Sequence, residues 1–193
     1  MISRFRYAFS YFKYLLFAKH KKGHGIHSPF MFNLITKVFN NKTVDKDLEK
    51  IFAIYNELIK SKELITYDEI GAGSKYKPSG RQAIGKVVKR SSVNKKYGKL
   101  LYDLICYFKS EDVLELGTSV GISTAYMAQQ SKNIISIEGI KAKAEIAQKI
   151  ATQLNQPTEF IIGDFDQVLE SVLKSYEKLD FVFFDGNHRK EST

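Results

Sequence analysis

The second half of the chain alternates between two hydrophobic periods. Short apolar runs stand near residues 112–116, 133–137, 158–162 and 180–184, the length and composition of strands buried on both faces. Between them, residues 121–130, 141–153 and 165–176 read as helices. Such alternation predicts a parallel sheet with right-handed crossovers and helices on both faces. Ahead of it the chain reads as helical. Residues 95–108 turn Leu100, Leu101, Leu104, Ile105 and Phe108 inward, with Cys106 expected to be packed in the same apolar pattern. Residues 29–40 read as a helix opened by Pro29. Residues 45–63 read as another, with Ile51, Ile54, Tyr55, Leu58 and Ile59 on its apolar face and Asp45 and Asp47 suited to its first turn. A basic helix is expected over roughly 82–90, after Pro78-Ser79-Gly80-Arg81.

At the N-terminus, Phe5, Phe9, Phe12 and Leu16 fall at helical spacing, flanked by Arg4, Arg6, Lys19, Lys21 and Lys22. Lys13 interrupts the run and basic residues replace a small-residue cleavage site, which argues against a signal peptide. The run is also too short to span a bilayer. Two uses suit this amphipathic helix: packing on the body of the protein or on a second subunit of a homodimer, or peripheral contact of residues 1–22 with an anionic membrane.

The turns between elements hold the candidate chemistry. Asp112-Val-Leu-Glu115-Leu-Gly117-Thr118-Ser119-Val-Gly121-Ile-Ser123 runs from an apolar strand through a glycine-bearing turn into a helix. Ligands of open α/β sheets bind at the carboxyl end of such strands. The next strand, Ile134-Ile-Ser-Ile137, ends in Glu138, an acid placed to accept the two hydroxyls of a ribose. A dinucleotide fingerprint would read G-x-G-x-x-G; here the spacing is Gly117-x-x-x-Gly121. A second glycine-bearing stretch, Thr66 to Lys75, lacks a following strand ending in an acid and reads as a structural connector. His20, His24 and His27 have a metal-like look, but Gly23 and Gly25 break any helix that would fix them, so a loop is expected there.

Four stretches in order, Glu115-x-Gly117-x-x-x-Gly121, Glu138, Gly163-Asp164-Phe165 and Phe181-Val-Phe-Phe-Asp185-Gly186, resemble the class I S-adenosylmethionine-dependent methyltransferases. The first motif, Glu-Leu-Gly-Thr-Ser-x-Gly-x-Ser, is nearest the O-methyltransferase branch, and the resemblance covers roughly residues 95–188. His27-Ser28-Pro29-Phe30 resembles the N-terminal region of a Bacteroidetes-like bacterial methyltransferase group. The resemblance implies a Rossmann-like sheet whose first four strands run in the order 3-2-1-4, preceded by an N-terminal helical extension. It divides the chain into a basic helical region, 1–94, and a cofactor domain, 95–193. The family's sheet has seven strands and this chain supplies four, so the domain is expected to be incomplete at its C-terminus, shortened or completed by another chain.

The same resemblance implies S-adenosylmethionine as cofactor. Glu115, Gly117, Thr118, Ser119, Gly121 and Ser123 would line its methionine and ribose side, Glu138 would take the ribose hydroxyls, and Gly163, Asp164 and Phe165 would meet adenine. Asp185, beside the sulfonium, and His188 would be catalytic. In cation-dependent relatives the acid at the position of Asp185 holds a divalent metal such as magnesium, and a base, often lysine, follows three residues later; here that place is His188. Phe-Phe-Asp-Gly-Asn-His differs from the Asn/Asp-Pro-Pro-Tyr-like sequence of amino-directed methyltransferases. A small-molecule oxygen acceptor is therefore expected. An RNA methyltransferase using the basic region and a cofactor-binding protein without catalysis stand as alternatives.

Composition adds two points. One cysteine excludes an internal disulfide, and nothing argues for an oxidising compartment, so a cytoplasmic protein, peripheral at the inner membrane at most, is expected. The net charge of +9 is uneven: residues 1–110 hold 22 Lys+Arg against 8 Asp+Glu, residues 111–193 hold 8 against 13. Such asymmetry marks either a solvated face or a surface for an acidic partner, and nucleic acid is not favoured because no aromatic-interleaved RNA motif is present.

Overall fold

The structure is a computed structural model that describes residues 7, 9–14, 26–42, 46–68 and 79–186. Contacts group the chain into two compact units, Met1–Thr43 and Val44–Thr193. In the first unit, residues 9–14 are helical, and the Tyr11 and Tyr14 rings stack with centroids 6.4 Å apart. A short helix α1 (Pro29–Asn33) is opened by Ser28, whose hydroxyl accepts the Met31 N–H at 3.3 Å. It continues as a π-helical turn, Leu34–Phe39, closed by the Asn40 N–H on the Ile35 carbonyl. The Thr36 hydroxyl donates to the Phe32 carbonyl at 2.7 Å, competing with the regular ladder where the helix widens. Phe5, Leu16, His20 and His24 lie outside the described residues.

The second unit runs α2 (Lys46–Leu58), β1 (Leu64–Asp68), β2 (Ser79–Ala83), α3 (Ile84–Ser91), α4 (Lys95–Phe108), β3 (Asp112–Leu116), α5 (Ile122–Ala128), β4 (Asn133–Glu138), α6 (Lys141–Gln153), β5 (Glu159–Ile162), α7 (Phe165–Ser175) and β6 (Phe181–Phe184). The second unit begins well ahead of residue 95 for a packing reason. Leu48, Ile51 and Ile54 of α2 and Val87 and Val88 of α3 share one apolar cluster with Val120, Ile122, Tyr126, Ile140 and Ile150. The antiparallel hairpin β1–β2 corrects the sequence reading. Leu64 pairs with Ala83, so Gln82 and Ala83 are strand and the basic helix begins at Ile84, whose N–H bonds the Glu63 carbonyl at 2.9 Å. Residues 69–78 of the glycine-bearing connector lie outside the described residues.

The other four strands are parallel and lie in the order β5-β4-β3-β6. That is the 3-2-1-4 order expected of the first four strands. Register brings their carboxyl ends level: Leu116 stands opposite Ile137 and Phe184, and Glu138 opposite Ile162. On the central strand β3 the side chains alternate. Val113 packs with Leu101 and Ile105 of α4 and Met127 of α5, while Leu114 and Leu116 pack with Phe165 and Val172 of α7. Glu115 shares the face of Val113, under α5.

Helix α4 is capped by Asn94, whose side chain accepts the Lys96 and Tyr97 N–H groups. Its buried stripe runs through Gly98, Leu101 and Ile105. Cys106 lies about 100° around the helix from Ile105 and is exposed, and Phe108 is also exposed, correcting the inward placement of both. Gly98 permits the crossing of α4 over α5. A Cβ there would sit 2.2 Å from the ring of Tyr126, which is 1% exposed. Alanine would gain about 1 kcal/mol of helix propensity, but the buried ring has nowhere to retreat. We expect Gly98→Ala to lower stability by a net of about 1–2 kcal/mol, measured as a lower urea midpoint at unchanged slope. An unchanged or raised midpoint would refute this close crossing.

Candidate active site

The loop after β3 is shaped by the protein's own backbone. The Gly117 and Thr118 N–H groups both donate to the Ile137 carbonyl, at 3.0 and 3.2 Å, tying the loop across to β4. Gly117 has φ +105°, and a Cβ there would lie 2.7 Å from the Asp185 carbonyl carbon and from the Gly186 Cα. The turns after β3 and β6 thus touch backbone to backbone, reinforced by the Asp185 N–H on the Leu116 carbonyl at 2.9 Å. Gly121, at φ +81°, fits against Ala147 of α6, 2.6 Å from where its Cβ would be. These glycines serve approaches between parts of the chain. Ser119 between them is left-handed, φ +49°.

Two carboxylates hold this loop. Glu138, the last residue of β4, is 9% exposed. One of its oxygens accepts the Ser119 N–H at 2.7 Å and the other accepts its own downstream Ile140 N–H at 2.9 Å, which fixes the plane of the group at the strand's end. Glu115 lies beneath, with no exposed surface. Its carboxylate accepts hydroxyl bonds from Ser123 at 2.5 Å, from Ser136 at 2.6 Å and from Thr124. Because the Ser136 proton is committed to Glu115, the 2.5 Å contact between Thr118 and Ser136 runs with Thr118 as donor. Burial raises the Glu115 carboxyl to about pH 7; the Ser123, Ser136 and Thr124 hydroxyls pull it down, and the negative Asp185 adds to the rise.

A second hydroxyl relay reaches the loop from α3. Ser91 donates to the Val87 carbonyl at 2.8 Å, so in its 2.9 Å contact with Ser119 the Ser119 hydroxyl is the donor. Across the site, the Asp164 carboxylate opens α7 by accepting the Asp166 N–H at 3.3 Å, and the Gly163 N–H bonds the Glu138 carbonyl at 3.1 Å. Phe165 is buried against the Gly186 turn, its Cζ 2.8 Å from where a Cβ on Gly186 would stand. Asp185 is exposed at the end of β6.

The topology therefore gathers Glu115, Gly117, Thr118, Ser119, Gly121, Ser123, Glu138, Gly163, Asp164, Phe165 and Asp185 at one end of one sheet. His188 lies outside the described residues, and among the described residues no group of three or more His, Cys, Asp or Glu is placed to hold a metal ion. An open groove of about 700 Å³, lined by Asp112, Lys132, Asn133, Glu159 and Tyr176 among others, lies at the opposite, amino ends of the strands. Three contributors were not anticipated: Ser91, Thr124 and Ser136. Ser136 had a readable signal, a polar residue inside Ile134-Ile135-Ser136-Ile137 that pairs in register with Glu115. Ser91 had none, since only the fold brings it to Ser119.

Comparison with known proteins agrees with this fold. Residues 114–193 match the family model described as a methyltransferase domain. The O-methyltransferase from Bacillus cereus, solved in complex with SAH, superposes with a TM-score of 0.52 at 20% identity, over 77% of this chain and 57% of that one. The O-methyltransferase TomG from Streptomyces achromogenes, involved in tomaymycin synthesis and solved with SAM, gives 0.51 at 20% identity, over 75% of this chain and 55% of that one. The SAH-bound methyltransferase PaMTH1 from Podospora anserina gives 0.52 at 13% identity, over 77% and 53%. No curated protein matches. The second unit thus has the class I methyltransferase fold, and its segment 114–193 is the part that matches the methyltransferase-domain family. The chain spans a little over half the length of these structures.

Glu115 makes the site's stability depend on pH with a definite sign. An acid whose folded pKa of about 7 exceeds its ordinary value of 4.5 stabilises the fold below 4.5, and that contribution is lost as pH rises through 7. Glu115→Gln, neutral at all pH, lacks this dependence. The stability of the native protein relative to Glu115→Gln should fall by roughly 3 kcal/mol from pH 4.5 to 8, read from paired urea melts. A difference that stays flat or grows with pH would contradict the buried, proton-binding carboxyl.

Proposed function

We propose that this site binds S-adenosylmethionine and transfers its methyl group to an oxygen of a small-molecule acceptor. The observation that carries the reading is Glu138. Its carboxylate stands at the end of β4, oriented by the Ser119 and Ile140 N–H groups, beside a glycine loop held rigidly by its own chain. A fixed, nearly buried carboxylate suits the vicinal hydroxyls of a ribose, where two charge-assisted bonds discriminate by geometry. The donor set fits that group. Gly163, Asp164 and Phe165 follow β5 on the same side, where the flat Phe165 ring and the turn before it would border an adenine. Glu115, Thr118 and Ser123 are engaged with one another and Ser136, so their part is to hold the loop in shape.

The cofactor, when bound, supplies a methyl group on a sulfonium. The protein's task is then to align an acceptor oxygen with that methyl and to take the acceptor's proton. Asp185, exposed at the end of β6, is our candidate for placing the acceptor, with His188 as the base that receives the proton. A metal held by Asp185 belongs to the same proposal, and an acceptor screen with and without magnesium tests it.

Calorimetric titration with S-adenosylmethionine and S-adenosylhomocysteine tests the cofactor step apart from turnover. We expect saturable binding that Glu138→Ala weakens by at least about tenfold, with Glu138→Gln, which keeps one acceptor oxygen, in between. A folded Glu138→Ala protein with undiminished affinity would remove Glu138 from the site.

A further inference from the structure

We propose that the first unit docks the protein on an anionic lipid bilayer surface through the residues described in it, 7, 9–14 and 26–42. Charge and aromatic content point there together. Residues 1–43 contain eight Lys and Arg and no Asp or Glu, while residues 44–193 contain 22 Lys and Arg against 21 Asp and Glu. All but one of the nine units of net positive charge therefore belong to the unit that the contacts separate at Thr43. The same 43 residues hold ten aromatic side chains.

The aromatic residues described in this unit are exposed. Phe9 is 72% and Phe12 60% exposed on the helical stretch, with Tyr7, Tyr11 and Tyr14 beside them, and Phe30, Met31, Phe32 and Phe39 are exposed on and after α1. Lys13, Lys37 and Lys42 stand exposed in the same segments. Runs of exposed aromatic side chains such as these mark an interaction site. Its chemistry selects the partner. Phenylalanine and methionine gain most from leaving water, at about 25 cal/mol per Å² of apolar surface. Tyrosine places an apolar ring and a polar tip across a headgroup boundary. Lysines without an intervening acid are drawn to a negative leaflet. A duplex nucleic-acid surface would use the cations but leave Phe30, Phe32 and Met31 with little to bury against; single-stranded RNA, on whose bases the rings could stack, is the competing outcome of the test. Among the described residues no helix is long and apolar enough to cross a membrane, so the contact is a surface one. It stands apart from the methyl-transfer reading.

The test is co-sedimentation of the full chain with phosphatidylcholine vesicles, with and without phosphatidylglycerol. We expect binding that requires phosphatidylglycerol and falls steeply with added salt. Lys13→Glu, a change of two charges, should weaken it roughly thirtyfold, and Phe9→Ala with Phe12→Ala at least about tenfold. These exposed substitutions should leave the melting temperature and circular dichroism unchanged. No vesicle binding by the folded chain overturns the proposal. So does Phe9- and Phe12-dependent self-association or binding of single-stranded RNA in place of vesicle binding.

Discussion

A buried carboxylate accepting three hydroxyl bonds is the interaction on which the rest of the site depends. Glu115 has no exposed surface, and an ion there would be untenable in an apolar cavity. Ser123 and Thr124 from α5 and Ser136 from β4 supply the donors, so the carboxyl joins the central strand to the helix after the loop and to the neighbouring strand. Thr118, donating onward to Ser136, extends the join into the loop itself. The Asp185 N–H bonds the Leu116 carbonyl, one residue past Glu115, so the turn that carries the candidate catalytic group is tied to the strand that carries the brace.

How far the chain could be read from its residues follows from the range of the interactions involved. The four parallel strands and the gathering of Glu115, Glu138, Gly163 and Asp185 at one end were legible because each rests on a local pattern, an apolar run, a glycine turn or an acid at a strand's end, whereas the strand order came only from the family resemblance. The hairpin β1–β2 was not, because its pairing joins residues on either side of a glycine-bearing connector and its strands carry polar residues such as Thr66, Arg81 and Gln82. Cys106 and Phe108 were misplaced for a related reason. Periodicity gives the apolar side of α4, but only the neighbours of Gly98, Leu101 and Ile105 decide how wide its buried stripe is. Ser91 belongs with these: its hydroxyl has meaning only once α3 lies beside the loop.

The glycines deserve a different account from the one their motif suggests. A glycine-bearing turn at a strand's end reads as room for a ligand. Here the space at Gly117 is taken by the Asp185–Gly186 turn, and that at Gly121 by Ala147. Side chains at these positions would collide with the protein before any ligand arrived. The consequence is that the loop's shape is set in advance: its N–H groups are held by Ile137 and Glu138, its glycines by the Asp185–Gly186 turn and by Ala147 of α6, and its hydroxyls by Ser91 and Ser136. A loop so constrained loses little freedom when it meets a ligand, which is the condition for spending binding interactions on alignment instead of on ordering. In the cofactor-binding reading proposed above, Glu138 has two linked duties, holding the Ser119 amide and facing the ligand, and the first fixes the geometry for the second.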